Sequence, residues 1–348
     1  METHADPLPV DDMGRFAPRF PYHVVWLTTN ACNTRCVHCS SNAEKRRPNE
    51  LSTAEATAML TQLASVGVFD MAFSGGEPLA RRDIYALVAH AADCRIRVGL
   101  GSNGSTVNPA VADRLRSAGL HRLQISIDGV EATHDLARRW RGLYAKSVRA
   151  IQAGLEAGLR VHVCFTAHRL NHTELDRVID HCAEWGVHAF NLSRFIPTGR
   201  GTRALDLTPS EWRDVTSVFE RRRRELGTHM VFSTHLAQQV LANPALTCAP
   251  GFVGSQAGLG QACIGPEGGV SPCVMLPLIV GNIRERSFAE IWTQSPALDA
   301  LRDRSLLEGR CGTCELRAKC GGCRGVAYAY TGSVLASDPR CWRDAAAA

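Results

Sequence analysis

Short apolar runs alternate with longer segments of helical spacing along the first two thirds of the chain. Runs that read as buried strands lie at His23–Asn30, Asp70–Ser74, Arg97–Gly101, Arg122–Asp128, Arg160–Thr166 and Ala189–Ile196. Between and after them, apolar residues recur at helical spacing near residues 53–66, 83–93, 109–117, 144–157, 172–185 and 208–226. Ser52 with Glu55, and Thr208 with Pro209 and Glu211, have the form of helix starts. Strand-then-helix units at roughly 30-residue spacing predict a parallel sheet, either an incomplete barrel or an open doubly wound sheet. In both, chemistry sits at the C-terminal ends of the strands.

Two of the strands alternate strictly. Leu123, Ile125 and Ile127 are separated by Gln124, Ser126 and Asp128, and Val161, Val163 and Phe165 by His162, Cys164 and Thr166. Helices cover the outer face of a parallel barrel, so the apolar set should point outward and the polar set into the lumen. His162 is then a candidate general acid or base, and Cys164 a candidate hydrogen-atom donor to a substrate radical. The alternative for each is a plain one, a satisfied barrel histidine and a small buried filler.

Residues 1–20 carry no periodicity and read as a loosely held arm. After about residue 228 the alternation breaks into Gly, Pro and Cys. The expected division is therefore an arm, a sheet-forming core over 21–228, and a second module over 229–348 held together by metal rather than by a large apolar core.

Composition narrows the function classes. The 348 residues include no apolar run near the ~20 that a membrane helix needs, and the N-terminus has no basic-then-apolar leader, so a cytoplasmic protein is expected. The net charge of +5 comes from 39 basic residues, of which only Lys45, Lys146 and Lys319 are lysines. The basic residues form no aromatic-interleaved stripe, and Arg221–Arg224 read as a solvated helix face, so nucleic acid is not an expected partner. The 14 cysteines are too many for an ordinary cytosolic enzyme and too dilute for a disulfide scaffold, which points to metal or redox chemistry.

Cys32, Cys36 and Cys39 form a CxxxCxxC motif on the loop after the first strand. Three thiolates can hold three irons of a cubane and leave the fourth open, whereas an electron-carrying cluster usually has four cysteine ligands. Zinc with a fourth ligand such as His38 is the rival reading of this motif alone. In the last third, Cys311, Cys314, Cys320, Cys323 and Cys341 follow Cys248, Cys263 and Cys273, enough thiolates for two four-ligand clusters.

The first motif, on the loop opening repeated βα units, resembles the signature of the radical S-adenosylmethionine (SAM) family over residues 22–200 or so. Ser74-Gly75-Gly76-Glu77-Pro78 resembles the family's GGEP element, where an exposed backbone and Glu77 would receive the methionine amino group. Ser102-Asn103 after the third strand and Ser126 to Asp128 after the fourth resemble its ribose and carboxylate contacts. His134-Asp135 with Arg138 and Gly142 is similar to a stretch whose Arg meets the cofactor carboxylate. The resemblance implies an α/β fold, a partial (β/α)6 barrel followed by a small Cys-rich module, and an enzyme that cleaves SAM reductively to a 5′-deoxyadenosyl radical. A flavodoxin- or ferredoxin-type reductant would supply the electron.

The C-terminal run resembles the SPASM extension, although two residues rather than the usual three separate Cys320 from Cys323. By that likeness, auxiliary [4Fe–4S] cluster I would use Cys248, Cys263, Cys273 and Cys323, with Cys248 the least typical. Cluster II would use Cys311, Cys314, Cys320 and Cys341. Lys319 to Arg324 and Ala327 to Gly332 look closest to SPASM proteins of haem-modifying pathways, with peptide maturases such as that of mycofactocin also in view. The expected substrate is a biosynthetic small molecule with an anionic group, met by Arg194 and Arg200, with a ribosomally made peptide as the alternative. A non-catalytic iron–sulfur electron carrier is the rival of a different class.

Overall fold

The computed structural model describes residues 19–234 and 236–343. Ten strands form one sheet: β1 (His23–Leu27), β2 (Asp70–Ser74), β3 (Arg97–Ser102), β4 (Arg122–Ser126), β5 (Arg160–Ala167), β6 (Ala189–Arg194), β7 (Val231–Thr234), β8 (Gln261–Ile264), β9 (Gly269–Ser271) and β10 (Gly281–Asn282). Their order is β10-β9-β8-β1-β2-β3-β4-β5-β6-β7. Strands β1 to β7 are successive parallel neighbours, so the expected βα units are present, with β7 added. On the other side of β1, strand β8 pairs in parallel and places Cys263 opposite Val25, and β9 and β10 continue antiparallel. Both β7 and β8 come from beyond residue 228, so the cysteine-rich stretch extends the sheet of the core at both ends.

The helices that cover the sheet are α1 (Thr53–Ser65), α2 (Ile84–Asp93), α3 (Pro109–Ser117), α4 (Ala132–Arg138), α5 (Leu143–Glu156), α6 (Leu175–Trp185) and α7 (Pro209–Leu226). Both anticipated capping boxes form: Glu55 N–H donates to Ser52 Oγ at 3.3 Å and Glu211 N–H to Thr208 Oγ1 at 3.2 Å, with each Glu carboxylate reaching back to its cap. Such a cap contributes about 1 kcal/mol. Alternate strand residues Val24, Trp26, Met71, Phe73, Leu123, Ile125, Val161, Val163 and Phe165 are fully buried, and they join Leu60, Leu63, Leu87, Val88, Val178 and Ile179 of the helices in one core. That core leaves the other face of β4 and β5 to their polar residues. Among the described residues, no helix is long and apolar enough to cross a membrane.

Candidate active site

The loop after β1 is stitched closed before its cysteines are placed. Cys32 N–H donates to Glu44 O at 3.0 Å and Glu44 N–H to Asn30 O at 2.8 Å, while the buried Glu50 carboxylate accepts from Asn30 N–H and Arg47 N–H. Inside this closed loop, Cys32, Cys36 and Cys39 all line a cavity of about 220 Å³ at the C-terminal ends of the strands. Thr34 Oγ1 lies 3.1 Å from Cys32 Sγ and 3.4 Å from Cys36 Sγ. Burial pushes the Cys36 thiol up against the opposing pull of Arg138. A metal that takes Cys36 as a ligand must displace its proton.

The turn after β2 crosses beneath this loop. Gly75 has φ +124°, and a Cβ there would stand 2.6 Å from Thr29 O; at Gly76 it would stand 2.1 Å from Ala31 O. Only glycine permits the two backbones to approach this closely, and both glycines line the cavity. Glu77 is not among the lining residues: its buried carboxylate accepts from Asn103 N–H at 2.9 Å and Leu79 N–H at 3.3 Å. Its burial pushes the carboxyl up, and these donors offset part of that rise. Glu77 thereby ties the β2 turn to the β3 turn, leaving the Gly75–Gly76 backbone, Ser102 and Asn103 to face the cavity.

Asp128, after β4, is fully buried behind the wall. Its carboxylate accepts from Arg138 Nε at 2.8 Å and Nη2 at 2.6 Å, from Thr166 N–H at 3.0 Å, and stands 3.2 Å from His38 Nε2. Burial alone would raise this carboxyl, but Arg138 and His38 overcome it and hold Asp128 well below the usual range. Arg138 itself lines the cavity, so α4 delivers one guanidinium to the site, already oriented by Asp128.

The strand alternation is realised at four of its six polar positions, with Asp128 behind the wall and His162 outside the lining. Gln124, Ser126, Cys164 and Thr166 line the cavity together with Ser74 and Ser193. Cys164 is held protonated, its thiol pushed up to about 12 by burial and by Asp128. His162 is not among the lining residues; its charged neighbourhood is Arg122, Arg160, His188 and His121. Arg194 and Arg200, expected to meet an anion, are both engaged internally. Arg194 is buried against Gln238 and Asp338, and Arg200 donates to the carbonyls of Cys36 and Ala43. Sequence reasoning missed Phe195 and Met275, which close the cavity from the β6 end and from the cysteine-rich stretch. Nothing in the pattern of either residue marks it; only the fold brings Met275 there.

Three histidines, His134 and His168 buried and His162 half-buried, make a pH prediction. Burial lowers His134 to about 3 and His162 and His168 to about 4; neighbouring cations add to it, and Asp128 opposes it at His134 and His168. In the unfolded chain a histidine titrates near ~6.5. Between those values the unfolded state binds the protons, so stability falls as pH drops below about 6.5, by up to ~1.4 kcal/mol per pH unit per histidine. Denaturant unfolding at pH 7, 6 and 5 should show a shallower fall for His162→Gln than for the wild type; identical slopes would refute the assignment.

A second cavity, of about 50 Å³, is lined by Cys311, Cys314, Cys320 and Cys341 together, several times the ~10–15 Å³ that one water occupies. These are the four cysteines expected for auxiliary cluster II. Burial pushes Cys341 up to about 11, with Asp338, Cys320 and Cys311 contributing. Of the four expected for cluster I, Cys263, Cys273 and Cys323 are buried, and each of the outer two interacts electrostatically with Cys273. Cys248 is exposed, just after the turn Pro244–Thr247. The donor sets fit iron–sulfur clusters: three thiolates on one loop facing a cavity with room beside them, and four thiolates around another.

Sequence profiles agree with this geometry. Residues 26–193 match the Radical SAM superfamily and residues 256–323 an iron–sulfur cluster-binding domain of the SPASM type. Across 339 residues the chain is 32% identical to an AdoMet-dependent heme synthase of Methanosarcina barkeri, covering 93% of this chain and 96% of that one. The chain belongs to the radical SAM superfamily. As a radical SAM/SPASM enzyme it binds [4Fe–4S] clusters and SAM. It is also 32% identical to the mycofactocin maturase MftC of Mycobacterium tuberculosis over 92% of this chain and 83% of that one. Its fold is that of Streptococcus suis SuiB bound to S-adenosylmethionine, with a TM-score of 0.78 at 17% identity over 93% of this chain and 77% of that one.

Proposed function

We propose that this radical SAM enzyme oxidatively modifies a carboxylate-bearing side chain of a tetrapyrrole-type small molecule, by decarboxylation or dehydrogenation. The observation that carries an oxidative outcome is Met275. It lines the SAM cavity, and its backbone N–H donates to Cys273 Sγ at 3.5 Å, so a residue of the cavity wall is bonded through its main chain to an expected auxiliary-cluster ligand. The substrate class rests on the heme synthase relatives.

With Cys32, Cys36 and Cys39 holding one cluster, and the C-terminal cysteines the others, the bound groups supply a 5′-deoxyadenosyl radical and a one-electron acceptor. The chain's own part is placement. Gly75, Gly76, Ser102, Asn103, Ser126 and Arg138 present backbone groups, hydroxyls, an amide and one guanidinium for SAM, with Asp128 fixing the guanidinium from behind. Gln124, Thr166, Ser193 and Met275 form the remaining wall against which a substrate carbon is held. Removing one hydrogen atom, then one electron and CO2, from a propionate-like side chain leaves an alkene, so no hydrogen donor is needed. A flavodoxin- or ferredoxin-type protein completes the reaction by delivering the initiating electron.

The maturation of a ribosomally made peptide is the second reading, favoured by the mycofactocin maturase relative. The test is product analysis on anaerobic holoenzyme with SAM and a chemical reductant, offered tetrapyrrole carboxylates or candidate peptides. The expected result is 5′-deoxyadenosine formed in step with an oxidised tetrapyrrole, and Cys164→Ala that retains product formation. A peptide product would replace the substrate assignment. Loss of product in Cys164→Ala with continued 5′-deoxyadenosine release would instead make Cys164 the hydrogen donor of a redox-neutral reaction.

A further inference from the structure

Arg200, removed from substrate binding by its position, has three bonds to the loop that carries the first three cysteines. Its backbone N–H donates to Cys39 O at 2.8 Å, Nη1 to Cys36 O at 3.0 Å and Nη2 to Ala43 O at 2.9 Å. One residue of the loop after β6 thus spans the carbonyls of the second and third cysteines and of the loop beyond them, more than 150 positions away in sequence. Gly199 makes the approach possible. It has φ +61°, and a Cβ there would stand 2.3 Å from Ser40 O and 2.5 Å from Cys39 O.

The segment that carries Arg200 is itself fixed at both ends. Before it, Phe195 and Ile196 are buried, and Phe195 N–H donates to Ala167 O at the end of β5. After it, Arg203 Nη2 donates to the carbonyls of Ala329 and Tyr330, and its guanidinium lies 4.6 Å from the Tyr330 ring. The buried Asp206 carboxylate accepts from Tyr330 Oη at 2.7 Å and Arg340 Nε at 3.1 Å, and Arg340 directly precedes Cys341. A guanidinium held this way has little freedom to leave its two carbonyls, and the backbone N–H holds the third.

We propose that Arg200 is a positioning residue for the SAM-binding cluster: it clamps the backbone of the cysteine loop and fixes a positive charge beside it. A guanidinium stays charged at every pH the protein survives. A fixed positive charge beside the ligand cysteines favours the more negative, reduced state of a cluster and so raises its reduction potential. Arg200 eases the entry of the electron on which SAM cleavage depends. The inference rests on the cysteine loop holding that cluster; if it does not, the wild-type protein lacks the corresponding signal, an outcome distinct from every one below.

The experiment is an EPR-monitored redox titration of anaerobic holoenzyme, wild type, Arg200→Gln and Arg200→Lys, with iron content measured on the same samples and the auxiliary clusters as internal reference. Arg200→Gln is expected to lower the potential of the SAM-binding cluster alone, leave the auxiliary potentials unchanged, and slow 5′-deoxyadenosine formation tenfold or more at a fixed reductant potential. Arg200→Lys, which keeps the charge but not the fork, is expected to restore most of the potential. An unchanged potential in Arg200→Gln overturns the proposal, as does a potential in Arg200→Lys as low as in Arg200→Gln. Equal loss of iron from all three clusters in both variants overturns it too, because it would make Arg200 an ordinary folding contact.

Discussion

Replacing Cys32, Cys36 and Cys39 together with alanine is expected to abolish 5′-deoxyadenosine formation while leaving about eight of about twelve irons per chain. The physical basis is the separation of the thiolates. The three line the strand-end cavity, whereas Cys311, Cys314, Cys320 and Cys341 line another, and Cys263, Cys273 and Cys323 are set on β8, just after β9 and at the start of the helix Arg324–Thr331. The loop itself is closed by backbone bonds to Glu44 and Asn30 and clamped by Arg200, none of which uses a cysteine side chain. Its fold should therefore survive the substitutions. Iron analysis and chromatographic detection of 5′-deoxyadenosine on one preparation check both halves. Retained SAM cleavage in the triple variant would refute the assignment of this loop.

Asp128→Ala is the second substitution with a large expected effect. It leaves the buried Arg138 guanidinium without its partner and removes the acceptor of Thr166 N–H and the neighbour of His38. Breaking a buried ion pair from one side costs about 3–5 kcal/mol. Because the folded-state carboxyl is held well below the ordinary value, Asp128 contributes its stability in full at neutral pH and loses it only as pH falls through and below the usual carboxylate range near ~3.9. The deficit of the variant should therefore be complete at pH 7. SAM binding should weaken as well, since Arg138 lines the cavity and loses its orientation. Denaturant unfolding and equilibrium SAM binding at pH 7 test this. A variant of wild-type stability would show that Arg138 finds another partner and that the buried pair is not the keystone of the wall.

Much of this arrangement is legible in the sequence because it depends on local rules. The alternation in β4 and β5 correctly sends Gln124, Ser126, Cys164 and Thr166 into the cavity, since period-two geometry leaves a strand residue no third direction. The capping pairs at Ser52 and Thr208 fix two helix starts from side-chain chemistry alone. Helix α4 escapes periodicity because its seven residues span barely two turns, and it shows only through the motif that places His134 and Arg138. Strand β8 escapes because its four residues lie among glycines and cysteines, and only pairing with β1 makes them a strand. The anion role expected of Arg194 and Arg200 fails for a related reason. Sequence shows an arginine near a strand end but not the carboxylate or carbonyls that fold back to meet it, and here Asp338 arrives from 144 positions away. Glu77 is similar: the motif is legible, but not the Asn103 amide that occupies its carboxylate.

The most direct test of the account is the iron and acid-labile sulfide content of the anaerobically reconstituted chain. Eleven expected cysteine ligands, three on the loop after β1 and four for each auxiliary cluster, predict about twelve irons and about twelve sulfides per chain. Stoichiometric zinc with little sulfide would contradict it.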